Sequence, residues 1–137
     1  MPDFKAPITL NGVHVSLDTH DHSSAPWQTV GLWINWSNYN ATFGGVVYND
    51  FGFWKDTGGV VHLRGFMWAM SGNTGRTIAM LPAGYRPLRR EVQVGATGVT
   101  IATGTRIDVA PTGEIQVIDA SVSGAWFSLD SISFRAA

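Results

Sequence analysis

The chain has 137 residues, enough for one domain that buries roughly two thirds of its unfolded surface, and its formal net charge is -1 with 14% charged residues. That weak field excludes a phosphate-backbone binder, since no Lys/Arg run interleaves with aromatics, and the lack of cysteine excludes disulfides, thiolate metal sites and cysteine nucleophiles. No stretch approaches the ~20 apolar residues of a membrane span, and MPDFKAPITLNG has no basic segment leading into an apolar run, which predicts a soluble chain without an export signal.

In chain order, residues 1–26 differ from the rest. ITLNGVHVSL alternates around a turn signal at Asn11-Gly12, and the polar DTHDHSSAP follows. So little apolar area predicts a linker or a segment ordered by other chains. From Gln28 the alternation of Val30, Leu32, Ile34 and Trp36 with Thr29, Gly31, Trp33 and Asn35 predicts a half-buried strand that SNYNAT ends. Asn49-Asp50 is a turn signal before FGFWK.

The stretch from Asp56 to Pro87 carries the clearest pattern. Thr57, Gly58 and Gly59 predict a tight turn, after which Val61, Leu63, Gly65, Met67 and Ala69 are apolar or small at every second position. His62, Arg64, Phe66 and Trp68 then share the opposite face, a mixture of cation and aromatic unlike a plain solvent face. LPAGYRP ends a strand with two prolines. Beyond it, Val92/Val94, Val99/Ile101, Ile107/Val109 and Ile115/Val117 mark four short strands, with breaks expected at Gly95 to Gly98, Gly104 and Pro111 to Gly113. Phe127 and Leu129 keep one phase and Ile132 and Phe134 the other, so a bulge or corner is expected at Asp130 to Ser131. Eight to ten short strands without helical periodicity predict an all-β, jelly-roll-like sandwich over residues 27–137. Trp36 and Phe127 fall in phase with the aliphatic core.

The succession GGVVHLRG, LPAGYRP, TRIDVAPTGEIQV and WFSLDSISFR resembles the C-terminal knob domain of bacteriophage tail fibre and receptor-binding proteins, over most of Phe51 to Arg135. The resemblance implies a homotrimeric β-sandwich in a phage tail that contacts other tail proteins and attaches to a host-surface saccharide or other receptor. The alternative is a structural tail-tip or assembly domain without a ligand of its own. Upstream, TLNGVHVSLDTHDHS resembles the His-x-His segments of trimeric phage fibres, which implies an axial transition-metal ion held by His20 and His22 of three chains. Residues i and i+2 of an extended chain point to one side, and three pairs of imidazoles form an octahedral nitrogen set that suits iron, nickel or zinc, of which the resemblance favours iron. Asp18 and Asp21 are candidates to accept the second ring protons.

No carboxylate pair, nucleophile elbow, phosphate loop or zinc signature can be named, so no catalysis is expected. Trp33, Trp54, Trp68 and Trp126, with Tyr39 and Tyr48, are flat surfaces on which sugar rings stack, or else packing within the core or between chains. His62, Arg64 and Trp68, joined by Trp54 and Trp33, are the candidate receptor contacts. Tyr85 is expected to pack over its turn, and Arg86 to pair with Asp108 or Asp130.

Overall fold

A computed structural model describes residues 8–10, 13–15, 26–42, 47–72, 76–98, 103–118 and 123–137. His20 and His22, with Asp18 and Asp21, lie outside the described residues, as do Val99 and Ile101. Near the N-terminus β1 (Ile8–Leu10) and β2 (Val13–Val15) pair antiparallel on either side of Asn11-Gly12.

The remaining strands are β3 (Trp36–Asn38), β4 (Gly52–Lys55), β5 (Val60–Arg64), β6 (Phe66–Ala69), β7 (Thr77–Met80), β8 (Glu91–Gly98), β9 (Thr103–Val109), β10 (Glu114–Val117), β11 (Trp126–Ser128) and β12 (Ser133–Arg135). They form a seven-stranded sheet in the order β3-β6-β11-β8-β9-β10-β7 and a three-stranded sheet in the order β12-β5-β4. All pairings are antiparallel. A single helical turn, α1 (Tyr39–Thr42), is the helix among the described residues. Phe53, Val61, Leu63 and Phe134 of the small sheet face Met67, Ile107, Ile115 and Phe127 of the large one across the core, which makes the architecture the expected β-sandwich. Trp36 is buried 5.8 Å from Phe127, ring to ring.

The alternation from Val61 to Ala69 holds without interruption, odd positions buried and even positions half-buried. Yet the run divides between the two sheets. Gly65, at φ 142°, turns the chain from β5 into β6, and a Cβ there would stand 2.9 Å from the Phe51 Cα. The corner expected at Asp130 to Ser131 forms as well, carrying the chain from β11 back to β12. The two corners bond to each other. Leu129 N donates to Gly65 O at 2.8 Å, Gly65 N to Asp130 Oδ1 at 2.8 Å, and Leu63 N to Ile132 O at 2.9 Å. Since β5 pairs with β12 and β6 with β11, one bent antiparallel pair runs through both sheets.

Three expectations are corrected. Residues 28–35 form no regular strand: Gln28 bridges to Phe53, Trp33 N donates to Ile78 O, and the chain turns at Ile34-Asn35, with Asn35 at φ 66°. The apparent alternation is only half used, because Val30 and Leu32 pack on the core while Ile34 is 83% exposed. Gly95 to Gly98 and Gly104 lie inside strands, not at breaks. They permit close approach: a Cβ on Gly98 would lie 2.5 Å from the Trp126 ring, and one on Gly104 2.6 Å from Val94 Cγ1. Arg86 pairs with neither aspartate. Its Nε donates to Leu81 O at 2.8 Å, while Tyr85 packs edge-on against Phe53 of β4.

Asp108 is held instead by Arg106, at 2.8 and 2.9 Å, and Arg90, at 3.1 Å. Its side chain is 0% exposed, while both arginines are nearly half exposed. Burial alone would push the carboxyl up, but the hydrogen bonds from Arg106 and Arg90 outweigh it and hold it below the usual aspartate value.

Two measurements check this packing. Gly98→Ala is expected to lower stability by about 1–3 kcal/mol in chemical denaturation, whereas Gly31→Ala, with nothing within 4 Å of the added Cβ, stays within about 0.5 kcal/mol of the wild type. For Asp108 the folded pKa is below the unfolded one, so its contribution is complete above about pH 4 and disappears as pH falls through the folded value. Asp108→Asn should therefore cost about 2 kcal/mol at neutral pH and show a smaller fall in melting temperature than the wild type on acidification below pH ~4.

Candidate functional site

The outward face of the small sheet is set by its hairpin. Asp56 closes the β4–β5 turn, its Oδ1 accepting Gly58 N at 2.9 Å and Val60 N at 3.0 Å, and its Oδ2 lies 2.9 Å from His62 Nε2. The hydrogen bond from His62 is the largest influence on the Asp56 carboxyl and, with that from Val60, holds it below the usual aspartate value. One carboxylate thus fixes both the turn and one nitrogen of the imidazole. The register pairs Trp54 with His62, and their rings stack at 5.0 Å with 20° between planes. Trp27 meets Trp54 edge-on at 6.2 Å.

Arg64 lies two pairs further along, on the same face. Its guanidinium carbon stands 4.2 Å from the centre of the Trp27 ring, a cation–π arrangement. Its Nε is buried without a hydrogen-bond partner, beside Gly52, where an added Cβ would lie 3.2 Å from that nitrogen. These groups border a cleft of about 370 Å³ whose other walls include Asn49, Asp130, Ser131 and Ser133. Asp130 is committed to the fold: its Oδ1 accepts Gly65 N and also Asn49 Nδ2 at 3.2 Å. The cleft therefore combines indole faces, a held imidazole, a guanidinium, an amide and hydroxyls. Apolar plates with a few fixed polar groups are what recognition of a polyhydroxylated ring uses.

Of the sequence candidates, the fold brings Trp54, His62 and Arg64 together at this cleft. Trp68 does not join them, because the Gly65 corner carries it to the outward face of the large sheet, paired with Trp126. Trp33 stands in the loop before β3, 42% exposed, its amide bonded to Ile78. Tyr39, Tyr48, Phe66 and Trp126 gather on the large sheet, with Phe66 within 4.8 Å of each of the other three rings. The residues that sequence reasoning missed are Trp27, Asn49 and Asp130. Trp27 follows Pro26 in a stretch without periodicity, and its role depends on the bridge from Gln28 to Phe53. The phase change at Asp130 marked the corner but carried no sign of the cleft.

No protein-family model matches the chain, and no curated protein does. Among solved structures the chain is similar to the receptor binding protein (gp15) of Listeria phage PSA, with a TM-score of 0.58 and 17% sequence identity over 84% of this chain and 68% of that one. The chain thus has the β-sandwich fold of a phage receptor binding protein.

Proposed function

We propose that this chain is a receptor-attachment module of a phage tail, and that the cleft beside Trp54 takes a saccharide of the host surface. The observation that carries the reading is the cleft itself, where Trp54 stacked on His62, Trp27 and the guanidinium of Arg64 converge, on a fold shared with a phage receptor binding protein. The chain acts as a binder and not as an enzyme. In support, Asp130 at the cleft accepts from Gly65 and Asn49, and Asp56 behind it from Gly58, Val60 and His62. Carboxylates engaged in this way hold backbone and side chains in place.

Three chains act together, which raises weak single-site binding by ~10²- to 10⁴-fold through avidity. His20 and His22 of each chain hold the axial metal, an imidazole donor set that suits iron, nickel or zinc. A structural tail-tip domain without a ligand is the second reading. The exposed apolar residues on β8 favour it, because they point to assembly instead of recognition.

Two experiments decide. On an array of host-surface glycans the protein should bind at least one saccharide, and Trp54→Ala should weaken that binding by about tenfold or more while Trp68→Ala leaves it unchanged; a silent array together with unaltered adsorption of Trp54→Ala would establish the structural reading. In elemental analysis the purified protein should contain a transition metal, and His20→Ala should lower both metal content and melting temperature; unchanged values for both would remove the axial site.

A further inference from the structure

The large sheet has its core face and an outward face, and β8 is patterned the wrong way round for a lone domain. Its inward positions are Glu91, Gln93, Gly95 and Thr97, and its outward positions are Val92, Val94, Ala96 and Gly98. Gln93 lies opposite the buried Ile107, yet uses its amide to bond Ser133 O at 2.9 Å; Thr97 donates to Trp126 O at 3.0 Å. Val92 and Val94 are meanwhile 58% and 68% exposed. Solvent-side positions of a sandwich strand are ordinarily polar, and a slip of one residue would exchange the two faces. The inward hydrogen bonds show that the register is set by the fold, so the strand's apolar face is turned outward by design of the sequence.

What surrounds the stripe identifies its occupant. Within the face, Gly104 leaves room for Val94, and Trp126 lies over Gly98. Beyond β8 the outward groups are Arg106 and Asp108 of β9 and Glu114 and Gln116 of β10, and Arg90 reaches in from before the strand. Both arginines bond Asp108, Arg90 also bonds Gln116 at 2.9 Å, and Gln116 bonds Glu114 at 2.8 Å. Two cations and two carboxylates are thus balanced within the face, and another copy of it meets no net like charge. A neutral, apolar face of this kind suits packing of copies about a shared axis.

We infer that the outward face of β8, centred on Val92 and Val94, docks against a second copy of this chain. This rests on the multichain reading above and adds the surface through which the copies meet. It also leaves the cleft free, since Trp54, His62 and Arg64 lie on the small sheet, which faces away from the shared core on the other side.

The test is light scattering with size exclusion on the whole chain, wild type against Val94→Lys, with Val47→Lys as a control at an exposed site off the sheets. The wild type and the control are expected to run as oligomers. Val94→Lys should dissociate with self-association weakened by at least about tenfold, its far-UV circular dichroism and per-site saccharide affinity unchanged. If Val94→Lys fails to fold, Val94→Thr keeps the β-branched shape and should weaken association by a few-fold at least. A wild-type monomer, in which case the face serves another partner, or a folded Val94 variant with the wild-type mass and association constant, overturns the assignment. Loss of the saccharide reading alone would leave these masses unchanged.

Discussion

The clasp between Gly65 and the Leu129–Asp130 corner is the constraint on which this molecule depends. At that point a continuous run of alternating residues changes sheet, and the change is possible because Gly65 adopts φ 142° against the Phe51 backbone. Its amide and carbonyl are both satisfied from the opposite corner, by Asp130 Oδ1 and Leu129 N. A corner buried at the junction of two sheets would otherwise strand two polar groups, each costing about 1–3 kcal/mol. The second corner is tied to the first because it supplies the acceptor, so both sheets are fixed relative to each other by one short set of hydrogen bonds.

The cleft and the stripe are consequences of that arrangement. Before Gly65 the outward residues are His62 and Arg64, on the small sheet beside Trp54 and Trp27. After it they are Phe66 and Trp68, on the large sheet, on the side where β8 exposes its valines. A single face of the sequence is thereby divided into two surfaces that point apart, one bordering the cleft, the other carrying the exposed apolar residues. The proposed attachment in several copies would use such a division, because contacts between copies and contacts with a receptor draw on different residues.

Much of the sandwich was legible in the sequence because strand alternation records local burial. The turn at Thr57 to Gly59, the strand end at LPAGYRP, the corner near Asp130 and the core placement of Trp36 and Phe127 all follow from period-two patterning and turn chemistry. Glycine misled where it served a neighbour and not the chain's own conformation. Gly98 makes room for Trp126 and Gly104 for Val94, and each resembles a break locally because a sequence does not show what lies across the ladder. Val30 to Ile34 misled for the opposite reason, since Val30 and Leu32 reach the core from a loop and so mimic the burial pattern of a strand. Part of the candidate cleft was visible in Trp54, His62 and Arg64, while Trp27 and Asp130 arrive through long-range pairing that no local pattern encodes.

On the proposed reading, the clefts face outward from an assembly held together through β8. The measurement that bears most directly on this is a crystal structure of the assembled protein grown with fragments of host surface polysaccharide. The account predicts a copy seated over Val92 and Val94 and sugar density against Trp54 and His62. A neighbouring copy filling the Trp54 cleft while the valines of β8 stand in solvent would contradict it.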